Sequence, residues 1–254
     1  MTNQINGEKS QAGSLVAGTL VHTKEGLRPI EEIKVGDYVL SKPDSGEGEL
    51  AYKRVTRTYE FDDKEIWYLS YANHNDYKNV GDSLVGSFCA TGDHPLWLAG
   101  FYEEWISEKY CNSIGFFANS WIQLQDIQPG MELQLADNRL VTAEFPYRLI
   151  QTQLPELAFF HSDNGNEPYD YGGMLSFTGA KFQLCQGDVK NELGKVILHT
   201  CHPNSPGDYI NEGVEWEGFS EVKWFKRKVY NLEVEDCRTY FVTKHGVWVR
   251  VHAH

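Results

Sequence analysis

The sequence predicts a mostly β fold, and three observations support this class. The 254 residues include 13 Phe, 14 Tyr and 7 Trp, and aromatic side chains favour strands over helices. Turn-forming clusters of Gly, Pro, Asn and Asp separate short β-prone runs along the chain. Few segments carry Ala, Leu, Glu and Lys at helical spacing. We therefore expect short strands joined by turns, and few helices.

Composition limits the classes of partner. The net charge of −13 argues against nucleic acid, because phosphate binding needs clustered Lys and Arg. The sequence has no run of about 18 apolar residues that would predict a membrane span. Residues 1–13 are polar and lack the apolar segment of a signal peptide, so we expect them to be a flexible leader. We expect a monomer without nucleic-acid or membrane partners.

The five cysteines are an odd number without close pairing, so they do not indicate a disulfide framework. The run HTCH (residues 199–202) has donor atoms but no second cluster at the spacing of a zinc site. We interpret it as a loop and expect neither a metal nor a cofactor. Cys89 and Cys237 are predicted to be small buried side chains.

The elements follow from local patterns. A β-prone run from Ser14 to His22 and the turn at residues 24–26 predict a hairpin, with His22 at the surface or in packing contacts. Ile30 and Ile33 are placed to face inward from one short turn. Turn residues at 43–48 precede further predicted strands. These strands span residues 53–61, 65–71 and about 84–90.

Part of this pattern repeats. Ile127, Gly130 and Leu133 each fall 94 residues after Ile33, Gly36 and Val39, and a carboxylate precedes each isoleucine. Two explanations of the repeat remain open. It is either a duplication with pseudo-symmetry or a chance recurrence of a common turn. Residues 149–220 are rich in Asn, Asp, Gly and Pro and contain short β-prone runs near 175–184 and 195–199. We interpret residues 149–220 as an insertion in one domain that spans residues 14–253.

Residues near the start of the chain suggest a reaction. The Ser14 hydroxyl can attack the carbonyl of Gly13, which has no Cβ to obstruct it, and convert the peptide bond into an ester. The leaving amine must be protonated, and His94 is a natural donor because histidine titrates near neutral pH. Thr91, three residues before His94, can hydrogen-bond the scissile amide.

Four motifs occur in order along the chain. They are AGTLV (residues 17–21), PIEEIKVGDYVLS (29–41), TGDHPLW (91–97) and a final group formed by VYNLEVED (229–236), TYFV (239–242) and GVWV (246–249). Together they resemble the Hint (hedgehog/intein) superfamily, particularly bacterial intein-like domains and the Hint domains that precede the toxin in polymorphic toxins. The resemblance covers residues 14 to about 148 and 222 to 253. It implies a horseshoe of long, two-fold-related strands, here with an inserted β and loop subdomain.

The resemblance also implies functions for individual residues. Thr91 and His94 match the T-x-x-H motif that assists the N-terminal acyl shift. Asn231 stands where inteins commonly have Asp, and Arg238 where they commonly have His, which puts the coupling of the two cleavages in doubt. Asn231 and Arg238 are also explained as ordinary strand residues.

Two further departures concern the cleavage positions. Ser14 replaces the usual Cys nucleophile, either as a slow natural variant or as an engineered block. At the other end the family cyclises an Asn that follows a His. Here His252 is followed by Ala253 and then His254, so the Ala253–His254 bond lacks a nucleophile. In an alternative register the pair falls on Arg250 and Val251, which also lacks Asn.

The resemblance implies that the domain cleaves its own flanking bonds in cis. This cleavage would release a toxin or another flanking segment from a bacterial precursor. We expect this chain to be a trapped, impaired variant. A catalytically inactive β scaffold that binds a partner through residues 149–220 is the main alternative. A hedgehog-like transferase ranks below both.

Overall fold

A computed structural model of the chain describes residues 13–73, 84–152, 154–161, 172–178, 182–184, 189–190, 196–198 and 223–251. The elements within these residues are mostly short strands. The strands of the N-terminal half are β1 (Leu15–Val16), β2 (Leu20–Thr23), β3 (Gly26–Pro29), β4 (Tyr38–Ser41), β5 (Ala51–Glu65), β6 (Trp67–Ala72), β7 (Gly86–Ala90), β8 (Pro95–Phe101) and β9 (Ser120–Gln123). Those that follow are β10 (Met131–Gln134), β11 (Leu140–Arg148), β12 (Ile150–Gln151), β13 (Leu157–His161), β14 (Gly172–Ser176), β15 (Gln183–Leu184), β16 (Val189–Lys190), β17 (Val196–Leu198), β18 (Lys226–Val234), β19 (Thr239–Val242) and β20 (Val247–Arg250).

Three short helical elements accompany these strands in the described part of the chain. One α-helix, α1 (Glu108–Ser113), and 3₁₀ helices at Ile30–Glu32 and Leu124–Asp126 are present. The mostly β fold class is thereby confirmed. The helix α1 was not predicted, because its six residues are too short for an apolar period to be visible.

Within the described residues, one 14-stranded antiparallel sheet forms the body of the protein. Thirteen of its strands follow the order β10-β11-β6-β7-β1-β18-β5-β4-β2-β19-β20-β8-β9, and β3 pairs with β2 outside this order. Because β10 also pairs with β8, the sheet closes on itself. The strand pair β5–β18 is the longest. The short strand β1 lies between β7 and β18, where neighbouring strands flank it on both sides.

The predicted hairpin is confirmed, since β2 and β3 pair antiparallel around a turn at Lys24 and Glu25. Ile30 and Ile33 are both buried, as predicted. Strand boundaries differ from those expected. The strand predicted at residues 53–61 extends over Ala51–Glu65. Its first residues pair with β4, and its last residues pair with β18.

The repeated pattern has the same local structure twice. Each copy forms a 3₁₀ helix ending before an isoleucine, Ile33 or Ile127, and each is followed by a glycine with positive φ. The first N–H of each 3₁₀ helix donates to a carbonyl 2.9 Å away, that of Thr19 in the first copy and that of His94 in the second. This agreement favours duplication over chance, and it places His94 at a repeated structural position.

The core lies inside the closed sheet, where Leu15, Val55, Leu133 and Tyr240 belong to one cluster of buried side chains. A separate four-stranded sheet, β12-β13-β14-β15, packs its apolar side chains against the body. The contact includes Val16 and Val229 of the strands β1 and β18. The strands β1 and β18 therefore pack against a second apolar layer in addition to the core.

Candidate functional site

The position of Ser14 follows from the register of β1. Leu15 pairs with Ala90 at the end of β7 on one side and with Tyr230 of β18 on the other. Continuing this antiparallel register by one residue brings Ser14 between the residue after Ala90 and the residue after Tyr230. These two residues are Thr91 and Asn231, so sheet pairing brings together segments far apart in sequence.

Thr91 holds the nitrogen of the Gly13–Ser14 peptide bond. The Ser14 N–H donates to Thr91 Oγ1 at 2.9 Å, and the Thr91 N–H donates back to the Ser14 carbonyl at 2.8 Å. Both side chains are buried, with Ser14 fully inaccessible. The first hydrogen bond holds the Gly13–Ser14 peptide, and the second holds the Ser14–Leu15 peptide that follows it.

Asn231 contacts the other end of the same bond. Its Nδ2 donates to the Gly13 carbonyl oxygen at 2.5 Å, and the Asn231 side chain is fully buried. The two polar atoms of the Gly13–Ser14 peptide are thus each hydrogen-bonded by a side chain. A buried amide donor aimed at a carbonyl oxygen is the arrangement that stabilises negative charge forming on that oxygen.

The orientation of the Asn231 amide is set by two donors on its other side. Asn231 Oδ1 accepts from the Leu232 N–H at 2.8 Å and from the Tyr240 hydroxyl at 2.9 Å. Because a backbone N–H can only donate, Oδ1 must face Leu232 and Nδ2 must face Gly13. Burial raises the pKa of Tyr240 far above its ordinary value, so its hydroxyl keeps the donated proton.

His94 lies beside the same peptide. Its Cα would be 2.4 Å from a Cβ placed on Gly13, so the two main chains are in direct contact. The His94 N–H donates to the Thr91 carbonyl at 3.1 Å, which closes the turn between these residues. The imidazole is fully buried. Gly13, Ser14, Thr91, His94 and Asn231 therefore form one cluster, which we call the Gly13–Ser14 site.

Arg238 is placed differently. It is exposed, with a positive φ of 55°, in the turn between β18 and β19. Its carbonyl accepts the Val251 N–H at 2.8 Å, so its main chain lies where the last strand leads to the C-terminus. His252, Ala253 and His254 lie outside the described residues, as do residues 1–12 and the HTCH run.

Three residues outside this cluster behave as predicted. His22 is partly buried, and its Nε2 lies 3.0 Å from the Thr243 carbonyl, so it is a packing residue. Cys89 and Cys237 are buried free thiols. Tyr240 is the residue that the sequence did not indicate, since nothing in its strand pattern distinguishes it from an ordinary core aromatic.

Two findings concern other kinds of site. Among the residues placed in the structure, no group of three or more His, Cys, Asp or Glu side chains could hold a metal ion. No helix formed by those residues is long and apolar enough to span a bilayer.

One family model matches part of the chain. Residues 20–109 match the family model of the pretoxin HINT domain (PT-HINT), a segment that includes Thr91 and His94. The predicted resemblance to the Hint superfamily is confirmed over this segment. No curated protein sequence matches the chain.

Solved structures of similar shape are inteins and intein-like domains. The bacterial intein-like domain from Clostridium thermocellum is 18% identical, with 93% of this chain and 97% of that one covered and a TM-score of 0.47. A Ssp DnaB mini-intein variant is 9% identical, with 95% of each chain covered and a TM-score of 0.46. The gp41-1 intein is 11% identical, with 92% and 97% covered and a TM-score of 0.43.

Proposed function

We propose that this chain is a self-processing domain that breaks its own Gly13–Ser14 peptide bond by an acyl shift. The observation that carries the proposal is the pair of hydrogen bonds on this bond. Thr91 Oγ1 accepts from its nitrogen at 2.9 Å and Asn231 Nδ2 donates to its carbonyl oxygen at 2.5 Å. The Gly13–Ser14 bond is buried, lies next to the Ser14 hydroxyl and has a side chain hydrogen-bonded to each of its polar atoms. This arrangement suits an attack by that hydroxyl on the bond.

The reaction begins with attack by the Ser14 hydroxyl oxygen on the Gly13 carbonyl carbon. A C–O bond forms, and the carbonyl oxygen takes up the displaced electron pair as an oxyanion. Asn231 Nδ2, already directed at this oxygen, stabilises the charge. The same donor binds the neutral carbonyl more weakly, so its contribution grows as the charge develops.

The tetrahedral intermediate then collapses with loss of the C–N bond. The hydroxyl proton of Ser14 is carried to the departing nitrogen, and His94 is the residue we assign to this transfer. The product is an ester between Gly13 and the Ser14 oxygen, with a free amine on Ser14. The Thr91 Oγ1 contact orients that nitrogen before and during the transfer. Hydrolysis or transfer of the ester releases the segment that ends at Gly13.

The two cleavage positions differ in the nucleophile that this chain provides. A serine hydroxyl is almost fully protonated at neutral pH, whereas a cysteine thiol forms a small thiolate fraction, so Ser14 slows the first step. Ala253 has no nucleophile for cyclisation at its carbonyl. We therefore propose a trapped, impaired form of a domain that acts in cis as a monomer, without cofactor, nucleic acid or membrane. In the precursor, cleavage at the C-terminal position would release a toxin or another flanking region that follows the domain.

The test is replacement of Ser14 by Cys in the full chain, followed by incubation with dithiothreitol and mass spectrometry. We expect loss of residues 1–13 from Ser14→Cys, because dithiothreitol cleaves a thioester at Gly13. The matched control is Ser45→Cys, which puts an exposed thiol in the 43–48 loop and should leave the chain intact. An uncleaved Ser14→Cys protein that is folded would overturn the proposal.

A further inference from the structure

Gly13 is packed against main chain rather than against a side chain. A Cβ built on this residue would lie 2.4 Å from His94 Cα, 3.0 Å from the Asp93 carbonyl oxygen and 3.0 Å from the His94 nitrogen. In folded proteins a Cβ atom essentially never lies within 3.0 Å of a heavy atom from another part of the chain. Any residue larger than glycine at position 13 therefore requires the main chain at Asp93 and His94 to move.

This main chain is held from several sides, so movement is costly. The Leu124 N–H donates to the His94 carbonyl at 2.9 Å, and the Gln125 N–H donates to the Gly92 carbonyl at 2.8 Å. Both donors belong to the second 3₁₀ helix, which is part of the repeated structure. A shift of His94 away from position 13 would strain these hydrogen bonds together with the turn from Thr91.

We infer that the Gly13–Ser14 site accepts only glycine before the nucleophile, and that the main chain of Asp93 and His94 imposes this selection. The inference rests on the proposed function and names its substrate class, which is a flanking segment that ends in glycine. Since main-chain atoms make the contact, changing the Asp93 side chain would not widen the specificity. A larger residue would also displace His94 from the bond it serves.

The experiment introduces Gly13→Ala into the Ser14→Cys protein and compares cleavage rates in dithiothreitol. We expect a loss of about 100-fold, the size typical of a misplacement near 1 Å at a reacting centre. The matched control is Gly100→Ala in the same background. A Cβ on Gly100 meets only the Glu132 Oε2 atom, at 3.0 Å, and that flexible side chain can move aside. Gly100→Ala should therefore cleave at the parent rate.

Amide hydrogen exchange provides a second measurement that does not depend on cleavage. If alanine displaces the turn, the Leu124 and Gln125 amides will exchange faster in Gly13→Ala than in Gly100→Ala. Cleavage of Gly13→Ala at the parent rate would overturn the inference, and so would unchanged exchange at both amides. If the Ser14→Cys parent fails to cleave, the proposed function is wrong, while the exchange comparison still decides whether glycine is sterically required.

Discussion

The side-chain nitrogen of Asn231 lies 2.5 Å from the carbonyl oxygen of Gly13, although 218 residues separate them in sequence. The contact exists because β1 pairs with β18 in a register that sets Leu15 opposite Tyr230. Tyr240 and the Leu232 amide then fix which end of the Asn231 side chain faces Gly13. The sheet thus presents an oriented hydrogen-bond donor to one particular carbonyl.

The first prediction concerns Asn231→Asp, which introduces the residue that the sequence resemblance to inteins leads us to expect at this position. An ionised carboxylate can only accept hydrogen bonds, so it would repel the developing oxyanion at Gly13. In the Ser14→Cys background we expect about 100- to 1000-fold slower cleavage, as for loss of an oxyanion donor. Asn112→Asp, an exposed change on α1, is the control. Faster cleavage by Asn231→Asp would show that position 231 works as an acid or base.

Thr91→Val tests the contact at the other end of the bond. Valine keeps the shape of threonine but leaves the buried Ser14 N–H without its 2.9 Å acceptor. The expected loss is about 10- to 100-fold in cleavage rate, corresponding to about 1–3 kcal/mol for an unsatisfied buried donor. Thr91→Ser should retain most of the rate. Thr19→Val, which removes a buried hydrogen bond to the Val16 carbonyl, should leave cleavage unchanged if the effect is specific.

Tyr240→Phe removes one of the two donors that orient Asn231. The loss of this buried hydrogen bond should lower the free energy of unfolding by about 1 kcal/mol, measured by urea denaturation. Cleavage should slow by less than in Asn231→Asp, because the Leu232 amide still holds Oδ1. A Tyr240→Phe protein that cleaves as slowly as Asn231→Asp would mean that the Leu232 contact alone does not orient the amide.

The stability of the fold should decrease in mild acid through His22. Burial lowers the pKa of His22 below its ordinary value of 6.5, so the folded state favours the neutral ring. Below pH 6.5 the unfolded chain binds the proton first, and the free energy of unfolding falls as the pH decreases. Urea denaturation at several pH values should show that the free energy of unfolding decreases less in His22→Gln than in the parent protein. The glutamine amide can still donate to the Thr243 carbonyl. Equal decreases in both proteins would contradict this assignment.

The sequence predicted the local features of the fold well. The hairpin after Ser14, the two turns 94 residues apart and the burial of Ile30 and Ile33 all depend on residues close in sequence, whose turn chemistry is visible directly. The boundaries of β5 were predicted less well, because its N-terminal end is set by pairing with β4 and its C-terminal end by pairing with β18. Pairing between distant strands leaves little trace in either strand alone.

The candidate site was predicted in part for the same reason. Thr91 and His94 lie in one short motif, so the sequence connected them. For Asn231 the sequence allowed two interpretations, a site residue or an ordinary strand residue. Only its contact with Gly13, which the sequence does not reveal, distinguishes between them. The contribution of Tyr240 is a tertiary contact with no sequence signal. Arg238 is exposed, and its main-chain hydrogen bonds join it to Val234 and Val251.

The most direct test of the proposed cleavage at Gly13 follows the NMR signal of the Gly13 carbonyl. The Ser14→Cys chain contains a single Gly–Cys pair. Labelling glycine carbonyls with ¹³C and cysteine nitrogens with ¹⁵N therefore gives one coupled carbonyl signal in the NMR spectrum. We predict that this coupling disappears during incubation with dithiothreitol, as the bond from Gly13 to the nitrogen breaks, and that Asn231→Asp retains it. A coupled signal that keeps its full intensity in the folded Ser14→Cys protein would contradict the account.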